Sequence, residues 1–317
     1  MPTIALVLGA GGVTGGAFHA GVLSALVEAT GWDPRTAELM VGTSAGSATA
    51  AVLRAGLSAP DLAARAERAP LSPEGTALLR SAGAPTGPPP VPDGPRLRFG
   101  RPAAPEILVG ALRRPWQVRP AALMAGLLPA GTVPTGAIAD GMNALHGNGW
   151  PAKPTWLCAV RLHDASLVAF GRDDAPVVSI GDAVAASCAI PGFFKPAEID
   201  GERYVDGGVH SLTNVGEAAL VKPDLVIVSS PMSRAGSGRY SAGSAIRQVG
   251  RAQLAVEVQR LRRRGIAVVT FQPTADDERA MGLNAMDPSR RADVVRQVHV
   301  SASARIDAVR DRLSLLG

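Results

Sequence analysis

Residues 39–54 restrict the chain to a narrow set of folds. Leu39-Met40-Val41 is a short apolar run, Gly42-Thr43-Ser44-Ala45-Gly46 is a turn bracketed by glycine, and Ser47–Arg54 continues in small residues that suit a helix. A strand that reverses into a helix over so few residues needs side chains without bulk on both sides of the bend, and G-x-S-x-G spacing meets that need. In such a turn the serine hydroxyl stands at the carboxyl end of a sheet. The amino end of the following helix then directs free N–H groups toward whatever binds there. The pentapeptide alone is a weak signal in a chain with 36 glycines. The apolar run before it and the small-residue helix after it make it a βα unit of an α/β fold.

The opening of the chain has the same form. Thr3–Leu8 is a continuous apolar run that ends in Gly9-Ala10-Gly11-Gly12-Val13-Thr14-Gly15-Gly16. Gly15–Ala29 then carries apolar residues at helical spacing (Phe18, Val22, Leu23, Leu26, Val27), and Gly31 marks the stop. A dinucleotide fingerprint is one reading of the glycine run, but its third glycine falls on Thr14 and the next strand runs into Ser44 rather than an acidic residue. The better reading is an oxyanion hole, in which consecutive glycines let backbone N–H groups converge on a small anion at a helix amino end.

Further strands are expected at Thr155–Leu162, with Leu167–Phe170 as a hairpin partner, at Leu225–Ser229 and at Ile266–Phe271. A strand pair is expected within Glu198–Val205, around Asp200-Gly201. Helices are expected at Ile180–Ile190, Ala245–Arg264 and Pro288–Leu315, the last with a break near Ser301. The chain of 317 residues reads as one domain, residues 1–317. From Gly83 to Pro105 it is so dense in Pro and Gly that no regular element is expected, and two short apolar helices follow, at Glu106–Leu112 and Pro120–Leu128. Residues 83–136 are read as an inserted cap or lid, since a connection this long inside a compact fold is more often functional than not. Trp116, Leu123, Met124 and Leu127 are its candidate substrate-lining residues, and Arg113, Arg114 and Arg119 beside Trp116 are candidates for seating it on an anionic membrane surface.

Hydrophobic residues at 46% and charged residues at 19% exclude a disordered chain. The net charge of +5 comes almost wholly from arginine, the only lysines being Lys153, Lys195 and Lys222. It is read as composition bias rather than as a surface for anionic lipid or phosphate. Cys158 and Cys188 lie in apolar contexts and are expected to be buried free thiols. No Cys/His cluster has metal-ligand spacing, so no metal is expected. With no basic region before the first apolar run and no uninterrupted membrane-length stretch, a cytoplasmic protein is expected.

A serine nucleophile requires a base. Of the five histidines none stands at an obvious strand end; His210 is the nearest candidate. Tyr204-Val205-Asp206-Gly207-Gly208 is the more suggestive segment, because an Asp that ends a strand before two glycines is presented on an open turn. A lone carboxylate serves as base for a hydroxyl where its site is dry enough to raise its pKa.

Taken together, the glycine run, the Ser44 turn and the Asp206 turn resemble the patatin-like phospholipase family in order and spacing. Ala186-Ser187-Cys188-Ala189-Ile190-Pro191-Gly192-Phe193-Phe194 is similar to that family's Ala-Ser-x-Ala-x-Pro-x-x-Phe stretch. The resemblance covers about Thr3–Ser58 and Thr155–Ser230. It implies a three-layer α/β/α sandwich with a mostly parallel central sheet, Ser44 as nucleophile with Asp206 as its sole catalytic partner, and no cofactor. It also implies backbone N–H groups of Gly11, Gly12 and Val13 as the oxyanion hole, with Gly42, Gly46, Gly207 and Gly208 supporting the two turns. One departure stands out: the family's usual Arg or Lys before the last glycine of the loop is Thr14 here. The activity implied is hydrolysis of acyl-ester lipids through an acyl-enzyme. The alternatives are acyl transfer by the same pair and a non-catalytic lipid- or partner-binding protein on the same scaffold. Peripheral contact with a membrane surface is a possible partnership, and no nucleic acid is expected.

Overall fold

Five apolar runs, three of them buried along their whole length, form a parallel core sheet, to which antiparallel strands are added. The computed structural model describes residues 2–91, 131–147, 149–235 and 244–316. The strands are β1 (Ile4–Leu8), β2 (Leu39–Thr43), β3 (Thr155–Arg161), β4 (Leu167–Phe170), β5 (Ala197–Ile199), β6 (Glu202–Asp206), β7 (Leu225–Ser229) and β8 (Ala267–Phe271). Among the described residues the sheet has eight strands in the order β5-β6-β3-β2-β1-β7-β8, with β4 on β3. Strands β3, β2, β1, β7 and β8 are mutually parallel, while β4 and β6 run antiparallel to β3, and β5 antiparallel to β6.

The helices are α1 (Gly12–Thr30), α2 (Ala45–Arg54), α3 (Ala59–Glu67), α4 (Pro73–Ser81), α5 (Gly136–His146), α6 (Ile180–Ser187), α7 (Ser244–Arg263), α8 (Ala275–Met281), α9 (Arg291–Asp307) and α10 (Arg310–Leu313). Side chains alternate across a strand, so a central strand feeds both faces of its sheet. In β1, Ile4, Leu6 and Leu8 join Phe18, Leu23 and Leu26 of α1 and Val294 and Val298 of α9. Ala5 and Val7 point the other way, into a second cluster with Val215, Leu254, Val258 and Leu261. The result is a three-layer α/β/α sandwich with a mostly parallel central sheet.

The structure corrects several sequence-based boundaries. Helix α1 starts at Gly12, before its apolar spacing becomes visible, and α6 stops at Ser187 rather than Ile190. Ser301 does not break the C-terminal helix. Its hydroxyl turns back onto Val298 O (3.2 Å) and Asp277 Oδ2 (2.9 Å), so it is satisfied within an intact α9, and the interruption falls at Ala308–Val309. Helices α3, α4 and α5 went unanticipated, although Ser58 and Ser72 cap α3 and α4 by accepting the N–H of Asp61 and Gly75. Cys158 is buried, but Cys188 is only half-buried; both are free thiols.

Most of the expected cap, including Trp116, Leu123, Met124, Leu127 and the neighbouring arginines, lies outside the described residues. Val133 accepts from Lys195 N (2.8 Å) and donates to Phe193 O (3.3 Å). No helix among the described residues is long and apolar enough to cross a membrane.

Helices α1 and α9 meet where Gly21 faces Val295; a Cβ at Gly21 would lie 2.8 Å from Val295 O, a backbone atom that cannot swing aside. Gly16, in the same helix, has nothing within 4 Å of its Cβ position. Gly21→Ala is therefore expected to lower stability by about 1–3 kcal/mol through overpacking. Gly16→Ala is expected to raise it by about 0.5–1 kcal/mol through helix propensity. Urea midpoints with unchanged slopes would display the opposite signs.

Candidate active site

Strand β2 ends at Thr43, and Ser44 takes φ 54°, ψ −120° before α2 begins at Ala45. A positive φ at a residue with a Cβ costs about 1–3 kcal/mol and survives only where its surroundings enforce it. Here the Ser44 N–H donates to Ser187 Oγ (2.9 Å), and the Ser44 carbonyl accepts from Ser47 Oγ (2.6 Å) and Ser47 N (2.8 Å). The bracketing glycines are required by close approach. A Cβ at Gly46 would fall 1.9 Å from Leu8 O, and one at Gly42 would fall 2.5 Å from Ser47 Cα. Helix α2 is thus pressed end-on against β1, and Ser44 is held almost fully buried.

The Asp206 side of the site is set by β3. Strand β4 pairs with Leu157–Val160 along one edge of β3. Strand β2 pairs up to Cys158 and β6 begins at Ala159, so both lie along the opposite edge. Thr43 is level with Cys158, and Asp206 is level with Ala159, the next residue. Two strand ends that are far apart in sequence therefore arrive side by side. The Asp206 carboxylate accepts the Gly208 N–H (2.7 Å) and is hydrogen-bonded to the Ser44 side chain. Desolvation raises its pKa from the usual 3.8 to about 6, partly offset by these two hydrogen bonds. Gly207 has its own contact: a Cβ there would lie 2.2 Å from Cys158 O.

The glycine run borders both turns. A Cβ at Gly208 would be 3.4 Å from Ala10 Cβ, and one at Gly15 would be 3.7 Å from Ala45 Cβ. The run is anchored by Gly9 N donating to Ser229 O (2.9 Å) and Ala10 N donating to Leu212 O (2.7 Å). Buried His19 adds a clamp. Its Nε2 lies 2.8 Å from Gly9 O, and its Nδ1 lies 2.8 Å from Ser229 Oγ. A carbonyl only accepts, so Nε2 carries the proton and Nδ1 accepts from the Ser229 hydroxyl. Desolvation lowers the His19 pKa to about 4, which keeps this neutral tautomer in place at pH 7.

Helix α1 starts at Gly12, where φ is +60°. Thr14 N donates to Ala285 O (3.0 Å) and Gly15 N to Gly11 O (2.9 Å). Among the described residues, that leaves Gly11, Gly12 and Val13 with N–H groups uncommitted at the helix start. The Thr14 hydroxyl is buried without a hydrogen-bond partner among the described residues, so it does not replace the anchoring that a longer cationic side chain would give. The arrangement contains a hydroxyl against a carboxylate of raised pKa, with a cluster of backbone donors nearby. Chemically, it can activate an alcohol and receive an anion.

His210, the other candidate base, is turned away; its Nδ1 pairs with Asn214 Oδ1 (2.9 Å). Sequence reasoning assigned no role to Ser47, His19, Asn214 or Ala285. Ser187 stood inside a quoted motif without one. A local signal existed only for Ser187, because the contacts of the others depend on partners remote in the chain.

The family model described as Patatin-like phospholipase matches residues 6–91 and 157–219. No curated protein matches the chain. Among solved structures, VipD from Legionella pneumophila is 15% identical with a TM-score of 0.46, the alignment covering 97% of this chain and 67% of that one. The type III effector protein ExoU is 20% identical with a TM-score of 0.39, the alignment covering 97% of this chain and 53% of that one. The chain thus spans about half the length of the ExoU chain, and likenesses this distant carry no functional argument. The family match is different in kind, since its two segments hold the glycine run, the Ser44 turn and the Asp206 turn: over them, the chain matches the patatin-like phospholipase family model.

Proposed function

We propose that the chain is a serine acyl hydrolase that cleaves lipid acyl esters, with Ser44 as nucleophile and Asp206 as its base. One observation carries the reading: the Ser44 hydroxyl is hydrogen-bonded to a buried carboxylate whose pKa is raised to about 6. A carboxylate at its ordinary pKa is a poor base for an alcohol. Burial brings Asp206 closer to the optimum near neutral pH while leaving it mostly ionised at pH 7.

In this reading Ser44 Oγ attacks the ester carbonyl and its proton passes to Asp206. The carbonyl oxygen becomes an anion held by the N–H groups of Gly11, Gly12 and Val13. The dipole of α1, which starts at the same place, adds to them. Collapse of the tetrahedral adduct breaks the bond to the alcohol, and the proton on Asp206 goes to the departing oxygen. Water then attacks the acyl group on Ser44, gives a proton to Asp206, and the second collapse returns that proton to Ser44 as the acid leaves. All proton transfers are served by one carboxylate. The family match supports a lipid ester as the substrate class.

Ser44→Ala and Asp206→Asn are each expected to lower kcat/KM on a chromogenic acyl ester by roughly 10⁴-fold. A fluorophosphonate is expected to label Ser44 in the wild type. Either variant retaining wild-type turnover would refute the proposal.

The wild-type kcat/KM is expected to lose activity toward acid with a midpoint near the Asp206 pKa of about 6, dropping about tenfold per pH unit below it. Stability has its own sign. The native state holds the Asp206 proton more tightly than the unfolded chain, so this contribution is complete below about 3.8 and is lost as pH rises through about 6. Asp206→Asn, which has no such charge to bury, is therefore expected to melt above the wild type at pH 8. The difference is expected to shrink as the pH falls toward 4. A calorimetric pH series measures it.

A further inference from the structure

The Ser44–Asp206 pair is assembled from two strand ends, and β3 fixes only how far along the sheet each one stops. Their relative alignment above the sheet requires a link between the two turns. Buried Asn214 makes that link. It lies at φ 50°, ψ 32°, a left-handed conformation that Asn tolerates better than most residues with a Cβ. Its Nδ2 donates to Thr43 Oγ1 (3.0 Å), Gly207 O (3.2 Å) and Ser211 O (2.9 Å). Thr43 immediately precedes Ser44, and Gly207 immediately follows Asp206. The amide cannot flip, because a flip would set Oδ1 against Gly207 O and Ser211 O, two carbonyl oxygens that only accept; Oδ1 instead lies 2.9 Å from His210 Nδ1, which therefore carries the proton. The backbone of Asn214 is itself tied down, its N–H donating to Ser211 Oγ (3.1 Å), and Ser211 Oγ in turn reaches Glu257 Oε2 (3.1 Å). One nitrogen thus bonds the chain neighbours of both members of the pair, from a rigid mount.

We propose that Asn214 is a positioning residue that keeps the Ser44 hydroxyl and the Asp206 carboxylate in register by tying Thr43 to Gly207. The inference rests on the Ser44–Asp206 reading above. Asn214 acts through its two partners and not on the substrate. Side-chain amides suit such a post: a single planar group offers two N–H donors to two loops and an oxygen to a third group, all from one buried position. A serine or threonine has only one proton to give, and an aliphatic residue has none.

Two variants sever the link from opposite ends. Asn214→Asp keeps size and shape but removes both N–H donors. Thr43→Val keeps the shape of the strand end and removes the hydroxyl that accepts from Asn214 and also meets the Cys158 thiol. In each, kcat on a soluble ester is expected to fall about 10–100-fold with KM changed less than about threefold, because binding is retained and attack geometry is lost. The double variant is expected to be no worse than the poorer single one, since both cut the same connection. The pH profile gives a further readout and is taken on Thr43→Val, which adds no charge. The groups acting on Asp206 are the Ser44 hydroxyl, the Gly208 N–H and the neighbouring Cys188 thiol, whose own pKa is pushed up to about 12 by burial and by Asp206. His210 is directed at Asn214 instead. Because the Ser44 bond holds the Asp206 pKa down, loosening it is expected to move the acid limb of kcat/KM above its midpoint of about 6.

A purely structural role would lower the melting temperature of the variants without altering kcat or the acid limb of the folded enzyme. Folded Thr43→Val with kcat within about twofold of wild type overturns the proposal, whether or not Asn214→Asp accumulates as folded protein. Such a result beside an inactive Ser44→Ala would remove Asn214 from the mechanism and leave the hydrolase reading standing. Wild-type turnover in Ser44→Ala would remove the reading itself.

Discussion

Ser44 and Asp206 meet because β2 and β6 end against the same edge of β3, level with the consecutive residues Cys158 and Ala159. Much else in the site follows from that shared edge. A sheet of parallel strands alone delivers side chains to its carboxyl end at intervals set by the strand spacing. Bringing in β6 antiparallel along the edge that β2 has just vacated places a carboxylate beside a hydroxyl at hydrogen-bonding range. The cost is a charge taken out of water, visible as the raised pKa of Asp206, and the surrounding N–H and O–H groups offset only part of it.

Unfavourable local states accumulate at this place. Ser44 and Asn214 both hold positive φ, Asp206 is desolvated, and the Thr14 hydroxyl is buried without a partner among the described residues. Each would relax if its neighbours allowed it. They do not, because glycines at 42, 46 and 207 let the backbones close onto one another until there is no room to move. The two cores above and below the sheet supply the rigidity that sustains this arrangement. The glycine run is treated similarly, clamped at Gly9 by His19, at Ala10 by the carbonyl of Leu212 and at Thr14 by the carbonyl of Ala285, so that among the described residues the N–H groups of Gly11, Gly12 and Val13 are left without partners.

The reach of sequence reasoning differed by element for identifiable reasons. Strands β1, β2 and β7 were legible because both faces of a central strand are buried and every position must be apolar. The Ser44 turn was legible because two backbone contacts exclude any residue but glycine on each side. Helices α3 and α4 were missed, although Ser58 and Ser72 are ordinary caps, because their apolar faces are short and interrupted by Arg and Glu. The break expected near Ser301 is absent: its hydroxyl returns to the carbonyl of Val298 and reaches Asp277, which belongs to a different helix.

The sequence by itself determined the parallel α/β pattern and the three glycine-bounded turns, since both are local demands: continuous apolar runs along buried strands, and the absence of a side chain where backbones touch. Only the tertiary structure decided which polar groups serve those turns. Ser187 on the Ser44 amide, Asn214 between Thr43 and Gly207, Ala285 on the start of α1 and the tautomer of His19 each depend on partners brought together by strand order and register. The raised pKa of Asp206 belongs with them, because desolvation is a property of everything that surrounds a group and not of the residues beside it in the chain.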